Sequence, residues 1–103
     1  MVITTEVKTL IEQVPFVPIT TVSGDGTPHL IVVGKVAEVR DDDVLAFSIY
    51  KMETTQKNIT DNGVMQVILA STADGPKGYR LSGEACIEDN KVLFKAEKAD
   101  SLM

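Results

Sequence analysis

The stretch from Ser48 to Gly63 constrains the fold of this chain more than any other. It reads as the end of a strand, a tight corner and a short helix stopped by a glycine. Ala46, Ser48 and Tyr50 alternate with Phe47 and Ile49, and both sets are mostly apolar or aromatic, as in a strand covered on both faces. From Glu53 to Asn62 the alternation is lost, the residues turn polar, and Ile59 is the one clear apolar anchor. Gly63 suits the left-handed position just past a helix end. A lone helix set into a run of hairpin-linked strands excludes a doubly wound parallel sheet, which needs a helix after nearly every strand.

The flanking segments supply those hairpins. Thr4 or Thr5 opens a first helix, with Val7, Leu10, Ile11 and Val14 on one apolar stripe and Pro15 and Pro18 forbidding its continuation. A strand over 19–23 turns at residues 23–28, where Gly24, Asp25 and Gly26 supply the turn chemistry. Leu30 to Val33 is apolar on both sides, so this second strand is expected to be central or at an interface. Gly34 suggests a bulge or a close approach by backbone or ligand. The pattern runs on from Lys35 to Arg40, with a register change near Ala37. Arg40 to Asp43 reads as a solvated turn; its three acids lack the alternating ligands and mid-loop glycine of a calcium hand. Strands over 44–50, 64–71 and 79–88 follow, with a loop over 73–78. Residues 92–103 place Val92, Leu93, Ala96, Ala99 and Met103 at helical spacing among Lys and Glu, which predicts a final helix. The expected order is helix, three strands, helix, two strands, helix. This is a mainly β chain: a small antiparallel barrel with peripheral helices, forming one domain over 1–103.

Composition narrows the function. Hydrophobic residues make up 44% of the 103, enough for a core, while aromatics are 5% with no Trp, so Val, Ile and Leu must build it. A net charge of −5, without a basic run, argues against nucleic acid as a partner. Cys86 is the sole cysteine, so no internal disulfide or Cys/His metal cluster is available. No apolar run approaches the ~20 residues of a membrane helix, and the first residues do not read as a secretory signal. A cytoplasmic setting is the expectation. Cys86 reads as a buried small hydrophobe, and Tyr50 and Tyr79 as core or interface residues. His29, the sole histidine, reads as surface or structural, with no partner carboxylate in view.

The corner carries the chemical clue. Lys51, Thr54, Thr55 and Lys57 set two cations and two hydroxyls around a helix start. There, backbone N–H groups lack partners and the helix dipole favours an anion. A phosphate would find N–H, hydroxyl and ammonium donors together. The same residues also suit a plain structural role: Thr54 or Thr55 as the cap, the lysines solvated.

Four pieces in order resemble the flavin-binding split-barrel family, related to pyridoxamine 5′-phosphate oxidase and small bacterial FMN-binding proteins. They are Thr20–His29 with its Gly24-Asp25-Gly26-Thr27-Pro28 turn, Asp41–Phe47, Thr54-Thr55 with Asn58-Ile59, and Gly78–Ala85. The resemblance spans about residues 5 to 90. It implies an antiparallel, Greek-key-like split barrel that forms a homodimer and holds FMN in a groove between subunits. The implied function is that of a small flavoprotein, an oxidoreductase or electron-transfer protein. The ring-side positions it implies are Ile31, Val32 and Val33 with Ser48, Ile49 and Tyr50; the phosphate positions are Lys51, Thr54 and Thr55. Two departures stand out. Thr54 occupies the place of the family's lysine, and valines replace polar residues of the second strand. The family also often carries one more strand after the fifth, so either the barrel closes with fewer strands or the chain is shortened. The resemblance names no catalytic residue. The competing expectation is a non-enzymatic dimeric module that has kept the fold and lost the flavin.

Overall fold

A computed structural model describes residues 1–73 and 75–102. Two helices, α1 (Thr5–Gln13) and α2 (Glu53–Asn62), accompany seven strands: β1 (Phe16–Val22), β2 (Pro28–Gly34), β3 (Glu38–Arg40), β4 (Val44–Ser48), β5 (Val64–Ser71), β6 (Lys77–Glu88) and β7 (Lys91–Ser101). All strand pairs are antiparallel, in the order β2-β1-β5-β6-β7-β4-β3. The outermost strands, β2 and β3, are separated in the chain only by Lys35, Val36 and Ala37. So short a link brings the two ends of the sheet together, and the sheet is rolled into a split barrel.

The interior follows strand alternation. Val17 and Ile19 of β1, Met65, Val67 and Leu69 of β5, Leu81 of β6, and Val92, Phe94 and Ala96 of β7 all point inward and are buried. Leu45 and Phe47 of β4 complete the core. Helix α1 begins as its sequence suggests: Thr4 is the cap, its hydroxyl accepting from the Val7 N–H at 3.3 Å. Its stripe of Val7, Leu10 and Ile11 is buried. The far end is held by Lys35, whose Nζ donates to the Glu12 carbonyl at 3.1 Å.

Several expectations need correction. The segment read as a final helix is β7, which pairs with β6 over ten positions and with β4 over five; Met103 lies outside the described residues. Its lysines and glutamates favour a helix locally, but pairing on both sides and the inward alternation of Val92, Phe94 and Ala96 override that preference. β7 also supplies the further strand that the resemblance calls for. The strand count is seven because residues 35–37 break the second strand from β3. β2 is an outer strand with Leu30 and Val32 exposed, so of the two expectations for it, central or at an interface, the central one fails. β1 starts at Phe16 and tolerates Pro18, β4 stops at Ser48, and β6 starts at Lys77. Asp74 of the expected loop lies outside the described residues. Cys86 is exposed. Asp43 is not a solvated tip: its carboxylate accepts from the Val2 N–H at 3.1 Å and the Ile3 N–H at 2.9 Å. Those bonds hold its carboxyl below the usual range, the Ile3 N–H contributing most.

One close approach shapes the sheet. Between Ser82 and Gly83 the β6–β7 register jumps, so that Ser82 faces Lys98 but Gly83 faces Ala96. Glu97 is the extra residue of this bulge. A Cβ on Gly83 would stand 1.9 Å from the Lys95 carbonyl oxygen. Only glycine allows the two backbones to meet there.

Candidate functional site

The rolled sheet leaves a seam between β2 and the segment that leaves β4. On β2 the period of two places His29, Ile31 and Val33 on one half-buried face, with Ile31 and Val33 packed against the core. Because β2 has a neighbour on one side only, half of its backbone N–H and C=O groups face away from β1, toward the seam. Beyond β4 the chain turns sharply. Lys51 adopts a left-handed conformation, φ 50°, which a residue other than glycine rarely takes. Met52 follows, buried, and begins α2. Tyr50 is left 75% exposed at the bend, with the Lys51 ammonium 5.5 Å from its ring centre.

Helix α2 opens without a side-chain cap. Met52 occupies the cap position and its side chain makes no capping hydrogen bond, so neither Thr54 nor Thr55 plays the capping role their types suggested. The first-turn N–H groups are therefore free of side-chain partners, at the positive end of the helix dipole. Thr55 is 1% exposed and its hydroxyl has no partner among the described residues. Burying such a group without a hydrogen bond is unfavourable. Its neighbour Asn58 is satisfied, donating through Nδ2 to the Thr21 hydroxyl at 3.0 Å and pinning α2 to β1. At the other end Gly63 closes the helix at φ 72° and its carbonyl accepts from the Ala85 N–H at 2.8 Å.

Two adjoining cavities follow from this arrangement. One, of about 270 Å³, is lined by Ile31, Val32, Val33 and Gly34 of β2 with Ser48, Tyr50, Lys51 and Met52. The other, of about 440 Å³, is lined by His29, Ile31, Lys51, Met52, Glu53 and Thr54. Ile31, Lys51 and Met52 border both. An apolar trough thus lies next to a compartment bearing an ammonium, an imidazole, a carboxylate and a hydroxyl. A smaller space of about 220 Å³ continues the trough past Gly34, Lys35 and Phe47.

Of the nine residues the sequence singled out, seven line these cavities. Ile49 does not: it is half-buried against the core. Thr55 does not line either space and is buried. Lys57, the second cation read around the helix start, is exposed further along α2 and borders neither. Sequence reasoning missed His29, Met52 and Glu53. For His29 the signal was available, since the spacing 29, 31, 33 shares one strand face. A separate cavity of about 410 Å³ lies at the acidic turn, against Met1, Ile3, Lys8 and Asp41 to Asp43. Asp43 is already engaged there with the N-terminal backbone. No group of three or more acidic, His or Cys side chains suited to a metal ion occurs among the described residues. Nor is any described helix long and apolar enough to cross a membrane.

Solved structures share this architecture. HupZ of Group A Streptococcus is 21% identical, with 96% of this chain and 93% of that one covered at a TM-score of 0.78. An FMN-binding protein from Syntrophomonas wolfei is 16% identical, covering 92% and 82%, also at 0.78. HutZ, a heme storage protein from Vibrio cholerae, is 11% identical, covering 95% and 91% at 0.62. At such identities the likeness is one of fold. No curated protein sequence matches the chain. A family model described as pyridoxamine 5′-phosphate oxidase matches residues 3–101. With nearly its whole length matched, and folded as a split barrel, the chain belongs to the pyridoxamine 5′-phosphate oxidase family.

Proposed function

We propose that the chain is a small FMN-binding flavoprotein, an oxidoreductase or electron-transfer protein. The observation that carries this reading is the pair of adjoining cavities at the seam. The trough of Ile31, Val32 and Val33 against Ser48 and Tyr50 suits a flat, largely apolar ring whose polar edge meets strand backbone. The compartment at the start of α2 suits the phosphate: Lys51 and the Thr54 hydroxyl border it, and an uncapped helix start faces an anion. The Thr55 hydroxyl in that first turn borders neither cavity but has no partner of its own among the described residues. Bound there, the flavin would supply the redox chemistry, while these residues bind it, orient it and limit its contact with water.

The reading includes a homodimer. Phe16, Pro18 and Thr20 of β1 lie opposite Gly34, Val32 and Leu30 of β2 and share their face of the sheet. Phe16, Leu30 and Val32 are 68%, 63% and 61% exposed. An apolar face of this kind beside the seam suits a second copy that covers it and walls in the ligand.

The test is reconstitution. The purified protein is titrated with FMN while flavin fluorescence is followed, and the same is done for a Lys51→Ala, Thr54→Ala double variant. Saturable quenching by the native protein, weakened in the variant by the ~1.5–3 kcal/mol of each charge-assisted hydrogen bond removed, is the expected result. Absence of binding overturns the flavoprotein reading. So does a haem-type Soret band on the purified protein with no flavin uptake, which would favour the chemistry named for HutZ.

A further inference from the structure

We propose that His29 is the second cationic contact of the compartment at the start of α2, and that its protonation strengthens that compartment as an anion site. The inference rests on the phosphate placement proposed above and adds a residue and a pH dependence to it. Three observations carry it. First, His29 is half-buried on the face of β2 that also presents Ile31 and Val33, and it borders the cavity with Lys51, Glu53 and Thr54. Second, its ring makes no hydrogen bond or ion pair with any described residue, so both nitrogens are available to a ligand. Third, the charges around it cancel. The corner brings Lys51, α2 brings Glu53, and β1, which pairs with His29 through Thr21, brings none. With a neutral imidazole the cavity carries one positive and one negative side chain, and only the helix start and the Thr54 hydroxyl favour a phosphate dianion there. With an imidazolium it carries a net positive charge, at an uncapped helix start that already favours anions. Histidine is the side chain that changes charge near neutral pH.

His29 reaches the compartment from β2, whereas Lys51 and Glu53 belong to the corner and to α2, and it adds a charge there only when protonated. Phosphate-ester binding should therefore be pH-dependent in a way that a lysine in its place would not make it.

The experiment uses three probes, FMN, riboflavin and inorganic pyrophosphate, on the full chain and on His29→Gln. Because His29 is the only histidine, its ring protons can be followed by NMR in the unaltered protein, which keeps the test independent of the variant's folding. The expected result has three parts. His29→Gln weakens FMN binding roughly tenfold at pH 6, the scale of one charge-assisted contact, and has little effect at pH 8. It leaves riboflavin, which lacks the phosphate, unaffected. FMN moves the His29 titration midpoint to higher pH, by about one unit for a tenfold coupling. The phosphate's own protonation near pH 6 opposes the trend, but it is common to both proteins and drops out of the comparison. Equal FMN affinity in both proteins with an unmoved midpoint overturns this proposal and leaves the flavoprotein reading intact. An equal loss of riboflavin also overturns it, since His29 would then touch the ring. If neither flavin binds but pyrophosphate raises the midpoint, the anion site stands and the flavin reading falls. If no probe binds, both fall.

Discussion

The Thr55 hydroxyl offers a prediction in which stability and binding move in opposite directions. Thr55→Val keeps the shape of the side chain and removes the polar atom. In the protein without ligand that atom is buried and unpartnered, a situation that costs about 1–3 kcal/mol. Valine and threonine have similar helix propensities, and position 55 lies in the first turn of α2, so little is lost there. A net stabilisation of about 1 kcal/mol follows, equivalent to roughly 4–8 °C in Tm for a domain this small. If the hydroxyl serves a phosphate, the same change weakens FMN by about 1.5–3 kcal/mol, or roughly ten- to a hundredfold. Urea unfolding of both proteins without flavin, followed by fluorescence titration, reads both numbers. A destabilised Thr55→Val would show that the hydroxyl is already satisfied, and the reasoning from an orphaned group fails. Stabilisation with unchanged FMN affinity would retain the orphan and remove it from the binding site.

Gly83→Ala should lower stability by about 3 kcal/mol or more, because a Cβ 1.9 Å from the Lys95 carbonyl forces β6 and β7 apart; near-native urea unfolding would contradict this. Asp43→Asn keeps a residue that tolerates positive φ and removes the charge accepting from Val2 and Ile3. A loss of about 1 kcal/mol is expected, with faster hydrogen exchange at those two amides. The Ser23 hydroxyl, with Thr27, holds the Asp25 carboxyl at about 2, below its ordinary 3.8. A depressed carboxyl adds stability above its unfolded value and loses it as pH falls through its folded one. The urea midpoint should therefore drop from about pH 4 to pH 2, and Asp25→Asn should flatten that decline. Val32→Glu places a charge on the exposed apolar face of β2 and should convert the proposed dimer to monomer in a sedimentation experiment.

Legibility from sequence varied with how local the cause was. Helix α2 could be read to the residue, because the break at Lys51, the polar run and Gly63 are all local signals. The hairpins at residues 23–28 and 40–43 were equally plain. β7 was not, since the bulge at Glu97 interrupts its alternation. Val92, Phe94 and Ala96 keep a period of two, but after the extra residue the phase shifts to Ala99, and the combined set mimics helical spacing. That bulge depends on a contact between Gly83 and Lys95, which no single-strand pattern reveals. At the site, Lys51 and Thr54 announced themselves by type. The spacing of His29 with Ile31 and Val33 gave its strand face, but the corner it meets lies more than twenty residues away in the chain. Thr55 was read as a phosphate donor, with a helix cap as the plain alternative; α2 has no side-chain cap, and the Thr55 hydroxyl is buried without a partner among the described residues.

The three-residue hop from Gly34 to Glu38 sets a limit on the molecule that strand pairing alone would not. Those four Cα steps reach about 14 Å at full stretch, so one end of the seam has a covalent maximum gauge. A ligand of the proposed kind would therefore enter from the corner at Lys51, not by parting the strands at Gly34. Lengthening the hop by a few glycines would loosen that caliper, and the range of ring sizes accepted should widen before the barrel itself comes apart.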